Sequence, residues 1–190
     1  MDENEIQNWL EQMADGDQTA FEHIYALTCK DVYRTISFFV VDKQEIDDLV
    51  NEVYIQMWKS LHNYDRVRSF RFWMHGLIIR QVQDWKRKKW RRFRIFEKKK
   101  IFLQESYVSD KETLQIETQN ELVELVESLS YKHREVVILR YFHEYSLNEI
   151  ALLLEIPIGT VKSRLHIALK LLRKEIETSP NRRADKLNGI

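Results

Sequence analysis

Residues 146–170 read SLNEIALLLEIPIGTVKSRLHIALK, and their reading decides the fold. Ser146 and Glu149 have the S-x-x-E spacing of a capping box, in which each side chain satisfies a free N–H at a helix start. Leu147, Ile150, Ala151 and Leu154 then recur at helical spacing. Ala151 is small where a second helix has to cross close by. Pro157 suits the first turn of that helix, because it has no N–H to leave unpaired there. The stretch is expected to form a helix, a tight turn and a second helix.

The second helix has two faces. At ~100° per residue, Val161, Leu165, Ala168, Leu169 and Leu172 make one apolar stripe. The opposite side carries Gly159, Ser163, His166 and Lys170, with Lys162 beside it. Short polar and cationic side chains on a protruding helix suit entry into a DNA major groove. There they can donate to guanine N7 and O6 and reach flanking phosphates. Arg164 points nearer the packed side, toward a phosphate or a partner within the chain. The plain alternative is a helical hairpin with a solvated face.

A chain of 190 residues allows one or two small domains. Four Gly and two Pro, with no recurrent period-2 alternation, argue for an all-α protein. A single cysteine, Cys29, excludes an internal disulfide and fits a reducing cytoplasm. The start of the chain lacks a basic-then-apolar signal pattern, and no apolar run approaches the ~18 residues needed to span a bilayer.

The formal net charge of zero hides segregation. Residues 1–65 carry −10, residues 66–100 carry +12, residues 101–130 carry −6 and residues 131–190 carry +4. Two basic blocks separated by an acidic one suggest two contacts with a polyanion. A charge run by itself is commonly just a solvated face, but the +12 block is also rich in aromatics. Within it, residues 85–100 read WKRKKWRRFRIFEKKK, ten of the sixteen being Lys or Arg. Cations bind phosphates, and the faces of Trp85, Trp90, Phe93 and Phe96 can stack on unpaired bases at ~1–3 kcal/mol each. That mixture suits single-stranded or opened DNA better than a closed duplex. Phe70, Trp73 and Trp85 also suit a core position.

Taken in order, Ile6, Trp9, Leu10 and Met13 make a short amphipathic helix that Asp15-Gly16-Asp17 breaks. A long helix follows over about residues 18–40, with Phe21, Ile24, Tyr25, Val32, Ile36 and Phe39 as core. A third runs over about residues 43–61, with Ile46, Leu49, Val50, Val53, Tyr54, Met57 and Leu61 inward. Asp47, Asp48, Asn51 and Glu52 crowd its other side. The helix dipole and solubility account for acids at that end of a helix; the alternative is an acidic face that docks a basic partner helix. After a polar joint at residues 62–69, a fourth helix is expected over about residues 70–100. Leu122, Leu125, Val126 and Leu129 open a second helical domain, and Val136, Val137, Leu139 and Tyr141 pack beneath the helix-turn-helix. The expected organisation is a first domain over residues 1–98, a flexible linker over 99–118, a second domain over 119–177 and a disordered tail over 178–190.

No catalytic or metal site is expected, and no cofactor. The six histidines lack metal-ligand spacing with one another or with Cys29. Neither a Gly-rich phosphate loop nor a Ser, His and acid cluster is present.

Across nearly the whole length, about residues 20–174, the chain resembles the extracytoplasmic-function sigma factors of bacterial RNA polymerase. Three segments carry the resemblance. Asp48-Leu49-Val50-Asn51-Glu52-Val53-Tyr54 is similar to the family's D-L-V-Q-E-V-F segment. Phe70 to Lys89, with Trp73, Asp84 and Arg87 in step, is similar to its promoter-melting helix. Leu139-Arg140-Tyr141, Ser146, Glu149-Ile150-Ala151 and the run from Ile156 to Leu165 resemble its fourth-region helix-turn-helix.

The resemblance implies roles residue by residue. Asp47, Asp48, Leu49, Asn51 and Glu52 would dock on the polymerase, on the clamp helices of β′, with β a further contact. Asn63, Tyr64, Arg66, Arg68, Arg71, Arg80, Arg87, Lys88 and Arg91 would bind and open the minus-ten element, holding one flipped base. Thr160, Lys162, Ser163, Arg164, His166 and Lys170 would bind the minus-thirty-five element. It also implies a monomer with no small-molecule substrate. A further implied partner is an anti-sigma factor, often membrane-bound, that holds the protein at the inner face of the membrane until a signal arrives. Four positions depart from the family's habit: Arg80 stands where Asn is usual, Ile78 where Ala is common, Ser130 where Pro is frequent and Ile167 where Arg is frequent. Two other classes compete with this reading. A free-standing helix-turn-helix regulator has no need of the Asp48 face or of residues 85–100. A membrane-surface module built on the basic helix requires its aromatic and basic residues to separate into faces, and they do not do so cleanly.

Overall fold

The computed structural model describes residues 3–100 and 125–178, and with them an all-α chain. It divides into two compact units. The first holds α1 (Glu3–Ala14), α2 (Gln18–Ser37), α3 (Lys43–Ser60) and α4 (Phe70–Lys100). The second holds α5 (Tyr131–Val137), α6 (Leu147–Leu154) and α7 (Ile158–Thr178). The expected linker, apart from the two residues that finish α4, lies outside the described residues, as does the tail beyond Thr178.

Helix boundaries in the first unit follow local chemistry. Gly16 takes a φ of 94°, a left-handed turn that costs a residue without a Cβ little, and α1 stops there. The Asp17 carboxylate accepts from the Thr19 N–H at 2.8 Å and starts α2. Asp42 accepts from the Glu45 N–H at 2.9 Å and starts α3. The core draws on all four helices, through Ile6 and Leu10, Ile24 and Ile36, Val53 and Met57, and Phe70 and Ile78. Packing is α1 on α2, α2 on α3, and α4 on both α2 and α3. The inward stripe of α3 is as expected except that Leu61 is only half-buried. On α2 the stripe is narrower, since Phe21 is half-buried and Tyr25 is exposed.

In the second unit α5 runs into a π-helical turn, Ile138–Phe142. The wider i→i+5 spacing closes with the His143 N–H donating to the Ile138 carbonyl at 3.1 Å. That change of pitch corrects one expectation. Tyr141 points to solvent, while Val136, Val137 and Leu139 are buried as anticipated and His143 and Tyr145 join them. The capping box is present: the Glu149 N–H donates to Ser146 Oγ at 3.3 Å and the Ser146 N–H to the Glu149 carboxylate at 2.8 Å. The turn after α6 rests on Glu155, whose φ of 53° is left-handed. The Ile156 N–H then donates back to the Ala151 carbonyl at 3.0 Å. Pro157 sits just before α7, its carbonyl accepting from the Thr160 and Val161 N–H groups.

Helix α7 packs on α5 and α6 through a face centred on Val161 and Ala168, both fully buried. Leu129, Val137 and Ala168 form a buried cluster, with Val126, Leu165 and Leu172 closing its edge. Ala168 is fully buried in that cluster, and Ala151 is half-buried. One expectation is corrected, at Leu169. Leu169 falls beyond the edge of the packed stripe and is exposed.

Candidate nucleic-acid and partner interface

The first unit presents an acidic-polar surface on α3. Asp48 and Asn51 are exposed, and Asp47 and Glu52 are half-buried beside them. The Gln44 amide donates to Asp48 at 3.2 Å and the Gln56 amide to Glu52 at 2.8 Å. These one-turn contacts hold the carboxylates along the helix without neutralising them. Leu49 does not belong to this surface. It is only 6 % exposed and serves the core, because residue 49 lies on the inward stripe with Ile46, Val50 and Val53.

Next to the acids lies an aromatic surface that sequence reasoning missed. Trp58, Ile55 and Tyr25 are exposed. The Phe21 ring stands edge-on to Trp58 at 5.8 Å and to Tyr54 at 6.0 Å, and Tyr25 lies 4.7 Å from Tyr54. The signal was available on α3, where Ile55 and Trp58 fall off the inward stripe.

The joint before α4 is built around Tyr64. Its hydroxyl donates to the Arg68 carbonyl at 2.9 Å, and its ring lies 5.8 Å from Phe70 and 5.1 Å from Trp73. At 8 % exposure Tyr64 anchors the loop and offers no ring face to a base. Around it the loop turns outward. Arg66 has a left-handed φ of 58° and its guanidinium pairs with Glu11 of α1 at 2.6 Å. Asp65 accepts from the Val67 N–H at 3.1 Å. Arg68 lies 5.0 Å over the Phe72 ring, and Asn63 is exposed.

Arg71 is engaged within the unit. Its Nε meets Asp31 at 3.5 Å, and the same carboxylate oxygen takes His75 Nε2 at 3.0 Å. His75 is buried, and that burial pushes its pKa below the usual imidazole range against the opposing pull of Asp31. This Asp31–Arg71–His75 group ties α2 to α4 through residues that no spacing in the chain connects.

Further along α4, Arg80, Lys88 and Arg91 are exposed. Arg87 is salt-bridged to Asp84, one turn earlier. Lys89 reaches across to Glu45 of α3 at 2.9 Å and lies 4.8 Å over the Trp85 ring, so this cation belongs to the α3–α4 contact. Trp90 is 60 % exposed among the cations. The side chains of Phe93 and Phe96 lie outside the described residues.

On α7, Lys162, Ser163, His166 and Lys170 are exposed, and Thr160 is half-buried. The Ser163 hydroxyl donates to the Thr160 carbonyl at 3.0 Å. Arg164 departs from the expected DNA-facing set. Its side chain is 20 % exposed and its Nη1 approaches Glu135 at 3.7 Å. The Glu135 carboxylate is buried, and a buried carboxylate needs compensation. Arg164 therefore resolves to the partner within the chain.

Comparison with known proteins agrees with both units. Residues 24–92 match the family model described as Sigma-70 region 2, and residues 119–172 match that described as Sigma-70, region 4. The chain is 30% identical to an RNA polymerase sigma-E factor of Streptomyces antibioticus, over 87% of this chain and 89% of that one. It is 27% identical to the ECF RNA polymerase sigma factor SigW of Bacillus subtilis, over 90% of this chain and 96% of that one. Among solved structures it resembles the sigma factor RpoE of Bartonella quintana, crystallised with the anti-sigma factor NepR. That match has a TM-score of 0.64 and 18% identity, over 84% of this chain and 98% of that one. A similar likeness, with a TM-score of 0.63 and 19% identity, joins it to CnrH in complex with the cytosolic domain of CnrY, over 92% of this chain and 99% of that one.

The chain belongs to the sigma-70 family, among its extracytoplasmic-function (ECF) sigma factors. Proteins of this class are regulatory DNA-recognition factors, and this one directs promoter recognition for transcription initiation. No helix among the described residues is long and apolar enough to cross a membrane.

Proposed function

We propose that the chain binds core RNA polymerase through α3 and engages promoter DNA with α4 and α7. Residues 1–98 form the unit that holds polymerase and the minus-ten element. Residues 99–118 tether it to residues 119–177, which read the minus-thirty-five element. The observation that carries this reading is the partition of charge within the first unit. An acidic face of Asp47, Asp48, Asn51 and Glu52 lies on α3, and an exposed cationic run of Arg80, Lys88 and Arg91 lies on α4. A protein that binds only closed duplex has no use for the first.

Asn63, Arg66, Arg68 and Arg80 contact the opened minus-ten strand, where exposed cations meet phosphate and Trp90 offers a stacking face. Tyr64 and Arg71 support this surface from behind. Arg87, Lys88 and Arg91 meet the backbone. Thr160, Lys162, Ser163, His166 and Lys170 read the intact upstream duplex. A protein of complementary charge that covers both faces keeps such a factor silent. The solved structures of similar sigma factors bound to anti-sigma factors support regulation of that kind. Retention at the inner face of the membrane by a membrane-bound anti-sigma factor is a further part of this proposal.

Asp48→Arg and Glu52→Arg each reverse one exposed or half-buried charge on α3. Both variants are expected to fold, with unchanged helicity and thermal midpoint, and to lose co-purification with core polymerase. Retained co-purification contradicts the docking assignment.

A further inference from the structure

An apolar residue stands in the middle of the polar face of α7. Ile167 is 44 % exposed and takes no part in the cluster of Leu129, Val137 and Ala168. At ~100° per residue it lies within ~40° of Ser163 and within ~60° of Lys170 on the helix surface. Both of those residues are exposed, as is His166 next to it. Fully buried Val161 and Ala168 face away, ~100–120° round the helix. A β-branched aliphatic side chain there is hydrated in the free protein and gains only when something covers it.

The surroundings define what covers it. Ser163 and the Glu135-paired Arg164 lie one turn before Ile167, and Lys170 and the exposed Leu171 lie one turn after it. Nearer the N-terminal end of the helix, where the polar side chains gather, the complementary surface is anionic and polar with an apolar point at Ile167. Duplex DNA has that character. Phosphates line the groove, and the apolar group on the major-groove floor is the C5-methyl of thymine. We infer that Ile167 reads a thymine methyl in the upstream promoter element and is a specificity-determining residue of this chain. The inference rests on α7 being the groove-reading helix, as proposed above. It adds a position-specific preference for T that the hydrogen-bonding side chains do not supply.

The test uses the full chain assembled with core polymerase. An upstream element is first selected from a randomised duplex library. Each thymine in it is then replaced in turn by deoxyuridine, which lacks only the methyl group. With the wild-type chain, one replacement is expected to weaken binding about three- to fivefold, the worth of one buried methyl. Ile167→Ala is expected to bind the thymine and deoxyuridine duplexes equally, while keeping its sensitivity to the other positions. Placing 5-methylcytosine at the same position should restore part of the wild-type methyl-dependent gain and none of it in Ile167→Ala. Wild-type binding that ignores every methyl overturns the inference, as does an Ile167→Ala variant with the wild-type methyl dependence. Undiminished methyl readout in Ile167→Ala together with loss of a protein partner assigns the residue to protein contact and overturns it too. A holoenzyme that selects no upstream element at all refutes the groove-reading role of α7 itself, a different failure from the loss of methyl readout alone.

Discussion

At the scale of single residues, exposure and pairing separate side chains open to a partner from those that hold the fold. Leu49, Tyr64, Arg71 and Arg164 belong to the second group, although their sequence context places them among interface residues. Lys162 is open to a partner, being exposed at the rim of the polar face of α7. Lys162→Ala is expected to weaken promoter binding by ~1–3 kcal/mol through a lost base contact, with random duplex hardly affected. Equal losses on both DNAs, measured by fluorescence anisotropy at one salt concentration, mark a phosphate contact instead. His75 gives a prediction in pH. Burial lowers its folded pKa, so the unfolded state takes up a proton that the folded state resists. The stability lost in this way is absent above the unfolded value of about 6.5 and grows as pH falls below it. His75→Gln is expected to show a shallower fall in thermal midpoint than wild type on acidification from pH 7 to 5. Parallel curves contradict the assignment.

At the scale of elements, what was legible follows from periodicity and capping. The bounds of α4 match the sequence expectation, and α6 begins where Ser146 and Glu149 require. Ser146→Ala is expected to cost ~1 kcal/mol through the orphaned helix N–H groups, while Ser146→Asp retains most of the stability, as chemical denaturation of the full chain can show. Other features were hidden for physical reasons. A π turn changes the residues-per-turn count without any composition signature, which is why Tyr141 is misassigned by a 3.6-residue wheel. The left-handed Glu155 occupies a position where glycine is the usual signal. Pairings such as Glu45–Lys89, Glu11–Arg66 and Asp31–His75 join residues more than forty positions apart, and one sequence does not register them. The candidate site shares this limit. Its chemical character was readable from charge and aromatic content, but the division between exposed cations and those held by a carboxylate required coordinates.

At the scale of the whole molecule, the proposed function requires two DNA contacts and one protein contact from a chain of zero net charge. Joining two weak readers by a tether converts the second binding event into an intramolecular one, so neither box needs to bind tightly alone. The opposing charge blocks allow the acidic α3 face and the cationic helices to address different partners at once. The most direct measurement supplies core polymerase with this chain on a genomic DNA library and maps every transcript start. The account predicts discrete starts absent with core polymerase alone, each preceded by the same two sequence boxes at constant spacing. Starts indistinguishable from those of core polymerase alone, or starts that share no pair of upstream boxes, contradict it.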